Sequence, residues 1–309
     1  MKKWSFLVMA AAISIVLAAC SMEPGFPTKD KSSKVAPKET SEHSIGLSIS
    51  TLNNPFFVTL SDSAEEKAKE NGVKITVSDA QDDASKQASD VENLIQKGVD
   101  LIIINPVDSS SVATAVESAN AANIPVITVD RTSDGGDVVA HIASDNVAGG
   151  ELAGEYLMTL IEEGSEVAML EGVAGSSAAN DRGQGFLNIV DDKVKLVASQ
   201  TANFNRTEGL TVMENILQAN PNVKAVFAQN DEMALGALEA ITAARKDVII
   251  IGFDATDDAV AKVKAGTLAA TVAQQPTLIG EKAIEAAIKI LAGETVDANI
   301  PVDLELIKK

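Results

Sequence analysis

The feature that most constrains this chain is an alternation that recurs along it. Short runs rich in β-branched residues, several of them hydrophobic at every position, are followed by segments with helical spacing. The runs lie at 45–50, 73–78, 101–104, 126–129, 167–170, 223–228 and 248–251. A run that is apolar throughout suits a strand covered on both faces. Helical patterns intervene at 57–70, 85–96, 109–122 and 233–244, and Asn71-Gly72 and Gly98 stand where such helices would stop. Alternation of this kind predicts parallel sheets flanked by helices. It occurs twice: one series ends near Ile142-Ala-Ser-Asp145, and a second opens with a helix over 146–160 and continues past Asp254. With 309 residues available, and single cores ceasing to grow near ~250 residues, two similar α/β lobes with a cleft between them form the simplest fold.

In open α/β sheets ligands bind beyond the carboxyl ends of the strands. Those places hold Asn53-Asn54, Asp79, Asn105-Pro106, Asp130-Arg131, Asn230-Asp231 and Asp254. They are hydrogen-bonding groups with few catalytic types among them, as a polar binding cleft requires. Asp79, Asn105 and Asp231 read more simply as helix caps or turn formers. Aromatic residues make up only 3% of the chain, so the adjacent Phe56 and Phe57 in Thr51-Leu-Asn-Asn-Pro-Phe-Phe57 carry information. On the residues alone they serve equally well as a hydrophobic staple at a helix start or as a stacking surface in the cleft.

Several chemistries find no support. Gly172-Val-Ala-Gly175 follows a strand-like run, yet neither GxGxxG nor GxxxxGK[ST] occurs. His141 is the only histidine beyond residue 43 and lies in an apolar context, which suits a structural role. One cysteine and two histidines exclude a zinc site of Cys/His type. No GxSxG elbow supports a serine nucleophile. The acidic pairs Asp82-Asp83, Asp191-Asp192 and Asp257-Asp258 lack calcium-loop spacing and read as solvated loops or helix N-termini. A formal charge of −19 makes a poor partner for nucleic acid. No cofactor is expected.

The N-terminus reads as a targeting segment. Lys2 and Lys3 precede a short apolar run over 7–16, and Leu17-Ala-Ala-Cys20 follows. A permanent membrane helix needs ~20 apolar residues. The LAAC motif resembles the lipobox of bacterial lipoproteins, which implies a leader over 1–19, cleavage before Cys20 and a lipid anchor on its sulfur. As the only cysteine, Cys20 also excludes an intramolecular disulfide. Residues 20–43, rich in Ser, Pro, Lys, Glu and Thr, read as a flexible tether.

The motifs STLNNPFFVTL, INPVDSSSVATAV, NIPVITVDR, HIASDNVAGG, AVFAQNDEMALGAL, IIGFDAT and LAATVAQQP resemble the ribose-binding branch of the bacterial periplasmic binding protein family, over essentially the whole chain from Ile45 onward. The resemblance implies two Rossmann-like lobes joined by three hinge crossovers, the first built from 44–144 and 275–303 and the second from 145–274 and 304–309. It places Asn54, Phe56, Phe57, Asp130, Arg131, Arg182, Phe204, Asn230, Asp254 and Gln274 around the sugar. Near Arg182, Asn180 and Asp181 depart from the family's commoner charged pair. Implied too are D-ribose as ligand, the membrane permease of an ATP-driven sugar importer as partner, a monomer, and an extracytoplasmic location with attachment to the cell membrane through Cys20.

The chemistry fits. A pyranose has C–H faces for phenylalanines and a polar rim for carboxylates, guanidinium forks and amides, with Asn54, Asn230 and Gln274 both donating and accepting. Alternatives are a receptor for another small sugar or furanose signal feeding a chemoreceptor or sensor, and a surface glycoside hydrolase. Against the hydrolase, Asp130 and Asp254 stand among hydrogen-bonding neighbours, with no sign in the sequence of the apolar setting that raises an acid's pKa.

Overall fold

The computed structural model describes residues 42–309. The leader, Cys20 and the tether as far as residue 41 lie outside the described residues. Among the described residues no helix is long and apolar enough to cross a membrane.

The chain opens as β1 (Ser44–Ile49), α1 (Pro55–Glu70), β2 (Lys74–Asp79), α2 (Ala84–Lys97), β3 (Leu101–Ile104), α3 (Ala113–Ala121), β4 (Val126–Val129) and β5 (Val138–Ser144). A second series follows: α4 (Asn146–Met158), β6 (Glu166–Glu171), α5 (Ser177–Val190), β7 (Lys195–Thr201), α6 (Arg206–Ala219), β8 (Ala225–Ala228), α7 (Asp231–Ala243), β9 (Ile249–Asp254), α8 (Asp257–Ala265) and β10 (Ala270–Ala273). The chain closes with α9 (Pro276–Leu291), β11 (Asn299–Val302) and β12 (Glu305–Lys308).

Two six-stranded sheets result, ordered β11-β5-β4-β3-β1-β2 and β12-β10-β9-β8-β6-β7. The first is parallel throughout. In the second only the β10–β12 pair is antiparallel. The polypeptide passes from the first sheet to the second between β5 and α4, returns between β10 and α9, and crosses again between β11 and β12. The two-lobed α/β architecture expected from the doubled alternation is the architecture found.

The apolar runs have a direct explanation. In β3, Leu101 and Ile103 pack into a core with α1 and α9, while Ile102 and Ile104 pack into another with α2 and α3. In β8, Ala225 and Phe227 face one core and Val226 and Ala228 the other. Successive side chains leave a strand on opposite faces, so a strand covered on both must be apolar at every position. α2 illustrates how ends are set: the Asp83 carboxylate accepts from the backbone N–H of Ser85 and Lys86, and Gly98 closes the helix at φ 72°. α3 is shorter than its sequence pattern suggests and begins at Ala113 rather than Ser109. The Ser109 backbone N–H is bonded instead to the Gly175 carbonyl of the other lobe.

Candidate functional site

The site grows out of the carboxyl ends of the strands. After β1 the chain turns into α1, capped by Asn54, whose side-chain oxygen accepts from Phe56 N at 2.9 Å, with Pro55 in the first turn. Asn230 caps α7 in the same way, accepting from Met233 N at 2.9 Å, while its Nδ2 donates to the Phe204 carbonyl at 3.1 Å. Both asparagines therefore use their side-chain oxygens on helix N-termini while lining the cavity.

Phe56 and Phe57 are both buried, meet edge to face with centroids 5.1 Å apart, and belong to the first lobe's core while lining the cleft. Both lie inside α1 after its Asn54 cap, so they are core residues that also wall the cleft and not a staple between the residues flanking the first turn. On the other lobe Phe204 has φ 56° and lies against Gly172, where any Cβ would collide with its ring. Asp130 and Asp254 also have positive φ, 62° and 116°. Positive φ is uncommon outside glycine, less so for aspartate than for phenylalanine, and is held here by surrounding bonds, such as Asp130 N to Ile142 O at 2.9 Å.

The charged groups interlock. Arg131 lies between two rings, 5.1 Å from the centroid of Phe57 and 5.2 Å from that of Phe204, and its Nη1 donates to the Pro106 carbonyl at 3.0 Å. Arg182 is anchored on its own lobe by Asn146 Oδ1 and the Gln229 carbonyl, each at 2.8 Å, and stacks 4.0 Å from the centroid of Phe253. The Nη1 that bonds Gln229 also lies 3.6 Å from Asp254 Oδ1, and Nη2 reaches across the cleft to within 3.8 Å of Asp130 Oδ1. Gln274 Nε2 donates to Asp254 Oδ1 at 2.9 Å.

Burial pushes the Asp254 carboxyl up to about 7, against the pull of Arg182 and Gln274 and with the help of Asp130 and Glu232. The absence of a raised-pKa setting, expected from the sequence, is corrected here: Asp254, flanked in sequence by Phe253 and Ala255, is buried in a site lined from both lobes. Burial also raises Asp231 well above the carboxylate range, with Asp254 adding to it and hydrogen bonds from Thr271 and Thr256 opposing.

All ten residues singled out in the sequence line one cavity with about 210 Å³ of empty space, part of it open to solvent, with Ala178 as an additional wall. Three of its buried polar atoms, Asp130 Oδ1, Arg131 Nε and Gln274 Oε1, have no hydrogen-bond partner in the protein. Two acceptors and a donor left in this way suit a compact ligand bearing several hydroxyls, which both donate and accept.

Asp79, Asn105 and Asp231 stay out of the cavity. Asp79 Oδ1 accepts from the N–H groups of Leu52 and Gln81, and Asp231 accepts from Thr256 and Thr271. Asn105 accepts from Ser50 N and donates to the Val129 carbonyl, with Asp130 Oδ2 3.4 Å away. His141 shares a 2.9 Å contact with Thr128 Oγ1, and burial lowers its pKa, as a structural histidine requires. The residues that the sequence reading passed over are Asn146 and Gln229, which hold Arg182, and Gly172, which admits Phe204. A buried polar residue straight after a strand was the available signal at Gln229.

Residues 45–295 match the family described as the periplasmic binding protein domain. Among characterised relatives, the chain is 53% identical over 306 residues to the ribose import binding protein RbsB of Bacillus subtilis, covering 99% of each chain. To the ribose import binding protein RbsB of Escherichia coli it is 48% identical over 311 residues, covering 100% of this chain and 99% of the relative. A solved solute binding protein of an ABC transporter from Bacillus halodurans, with bound myo-inositol, superposes with a TM-score of 0.81 at 38% identity, over 86% of this chain and 95% of that one. A periplasmic solute binding protein from Actinobacillus succinogenes with bound D-allose gives 0.80 at 33% identity, over 87% and 98%. By sequence and by fold, the chain belongs to the periplasmic binding protein domain family.

Proposed function

We propose that this chain is an extracytoplasmic D-ribose-binding protein that closes on the sugar and delivers it to the ATP-driven permease of an importer. The observation that carries the reading is the convergence of three phenylalanines, two Asp–Arg pairs and three amides from both lobes on a cavity of about 210 Å³. Relatives named for ribose import, matched over nearly their whole length, support the choice of sugar.

In this reading Phe56, Phe57 and Phe204 cover the C–H faces of the ring. Asp130 and Asp254 accept from hydroxyls, Arg131 and Arg182 donate, Asn54 and Asn230 donate through Nδ2, and Gln274 accepts through Oε1. The segments 44–144 with 275–303 and 145–274 with 304–309 are the two lobes that move. Contacts from both exist only in the closed form, so the sugar stabilises closure by its differential affinity. The protein acts as a monomer without a cofactor, held at the membrane through a lipid on Cys20, and catalyses nothing.

The raised carboxyl of Asp254 is the one feature shared with a general acid. Arg182, within 4 Å of both carboxylates, gives the pair an electrostatic role instead. Incubation with ribosides should yield no product above an enzyme-free control, and any turnover overturns the binder assignment. Calorimetric titration of residues 44–309 with pentoses and hexoses should show ribose far tighter than arabinose, xylose, glucose or galactose. Since solved neighbours hold myo-inositol and D-allose, equal responses to several sugars would favour a receptor for another polyol.

A further inference from the structure

We propose that Ser109 and Ser177 form a latch between the lobes, outside the cavity, that sets the affinity for the sugar by stabilising the closed arrangement alone. The proposal rests on the sugar-binding reading of the cleft. Ser109 follows β3 and Thr132 follows β4, both on the first lobe; Gly175 and Ser177 lie at the start of α5, on the second. Three hydrogen bonds join them. Ser109 N donates to the Gly175 carbonyl at 3.0 Å, Ser177 N donates to Ser109 Oγ at 3.3 Å, and Thr132 N donates to Ser177 Oγ at 2.9 Å. The Ser109 carbonyl in turn accepts from Asp134 N at 2.9 Å, tying the contact into the loop after β4.

None of the four latch residues lines the cavity. Yet Thr132 directly follows Asp130 and Arg131, and Ser177 opens the helix that carries Arg182. The latch therefore holds together the two backbone segments whose charged side chains face each other in the site. Each bond has its partners on different lobes, so each is made only when the lobes meet; apart, the same N–H and hydroxyl groups are hydrated. A bond present in one state and replaced by water in the other shifts the equilibrium by its net strength, about fivefold for a neutral hydrogen bond. Apparent affinity scales with the fraction of the binding-competent form. The sugar's own contacts are untouched, so selectivity should stay the same while affinity changes.

The test uses Ser109→Ala, Ser177→Ala, their double variant and Ser177→Thr in residues 44–309. Each alanine should weaken ribose binding about three- to tenfold by calorimetry, and the double variant more. The ratio of ribose to other sugars and the melting temperature of the ligand-free protein should stay at wild-type values, and Ser177→Thr should restore affinity. Ribose binding within twofold of wild type in both alanine variants overturns the latch. So does a matching fall in ligand-free melting temperature, which would mark a merely structural role. A wild-type protein that does not bind ribose sinks the sugar reading separately. The latch is then judged by small-angle scattering of the ligand-free protein: expansion of the double variant relative to wild type supports it, and identical profiles refute it.

Discussion

Arg182 shows how a single side chain is prepared for a ligand on the other side of a cleft. Its position is set within its own lobe by Asn146, the Gln229 carbonyl, the Phe253 ring and the nearby Asp254, leaving Nη2 to face Asp130 across the cleft. A planar fork held in this way loses little freedom on binding. Phe204 is held by a left-handed backbone and by the space at Gly172. Truncating either removes a buried anchor, and Arg182→Ala also leaves two buried carboxylates short of a cation. Ribose binding measured by calorimetry should weaken by more than about 2 kcal/mol in Arg182→Ala and in Phe204→Ala. Wild-type affinity in either would remove that residue from the site. Asn54, Asp130, Arg131, Asn230 and Asp254 were legible at the ends of apolar runs, and Phe56 and Phe57 as a pair in an aromatic-poor chain, whereas Arg182, Phe204 and Gln274 came only from the family resemblance, since Arg182 lies within a helix and the other two follow β7 and β10, which carry no strong apolar run. The atoms each residue uses were not legible. That Asn54 and Asn230 spend their oxygens on helix caps depends on where the helices begin, and the supporting role of Asn146 depends on a contact 36 residues away in sequence.

At the scale of elements, the clearest strands were β3, β4 and β8, whose burial on both faces demands an uninterrupted apolar run, while β1, β2, β6 and β9 were legible from their β-branched runs. β7 was passed over because it is a largely exposed edge strand, and the short β10, β11 and β12 owe their strand form to pairing with partners distant in sequence. Helix pairing was less legible still. α4 and α5 pack side by side through glycines: a Cβ at Gly150 would collide with the Arg182 carbonyl and approach Phe186 N to 2.8 Å. Both are backbone atoms of α5, which no rotamer change can move aside. Gly150→Val should therefore separate the helices and lower stability by about 1–3 kcal/mol, the usual range for overpacking. Because the displaced turn of α5 carries Arg182, ribose affinity should fall as well. Denaturant unfolding with calorimetry checks both, and loss of stability at wild-type affinity would show that α5 moves without its arginine.

For the whole molecule, the consequence of bringing two lobes together is that Asp254 and Asp130 are enclosed with Arg131 and Arg182, and water is excluded from all four. Enclosure raises Asp254 to about 7 from an ordinary 3.8. Between those values the enclosed carboxyl holds a proton that the unfolded or solvent-exposed group has released. The enclosed form then binds more protons than its alternatives, so its stability falls as pH rises through this window. The same sign applies to lobe separation in the absence of sugar, since opening returns Asp254 to water. Lowering pH from 8 to 5 should therefore shift the ligand-free protein toward the closed arrangement, seen as a smaller radius of gyration by small-angle scattering. Asp254→Asn, which is neutral at every pH, should remove the part of the response that titrates near 7. Asp231, raised by burial within the second lobe and held by Thr256 and Thr271 from that lobe alone, should affect overall stability more than opening. A ligand-free radius independent of pH in the wild type, or a pH response that survives in Asp254→Asn, would show that lobe closure is not coupled to this carboxyl.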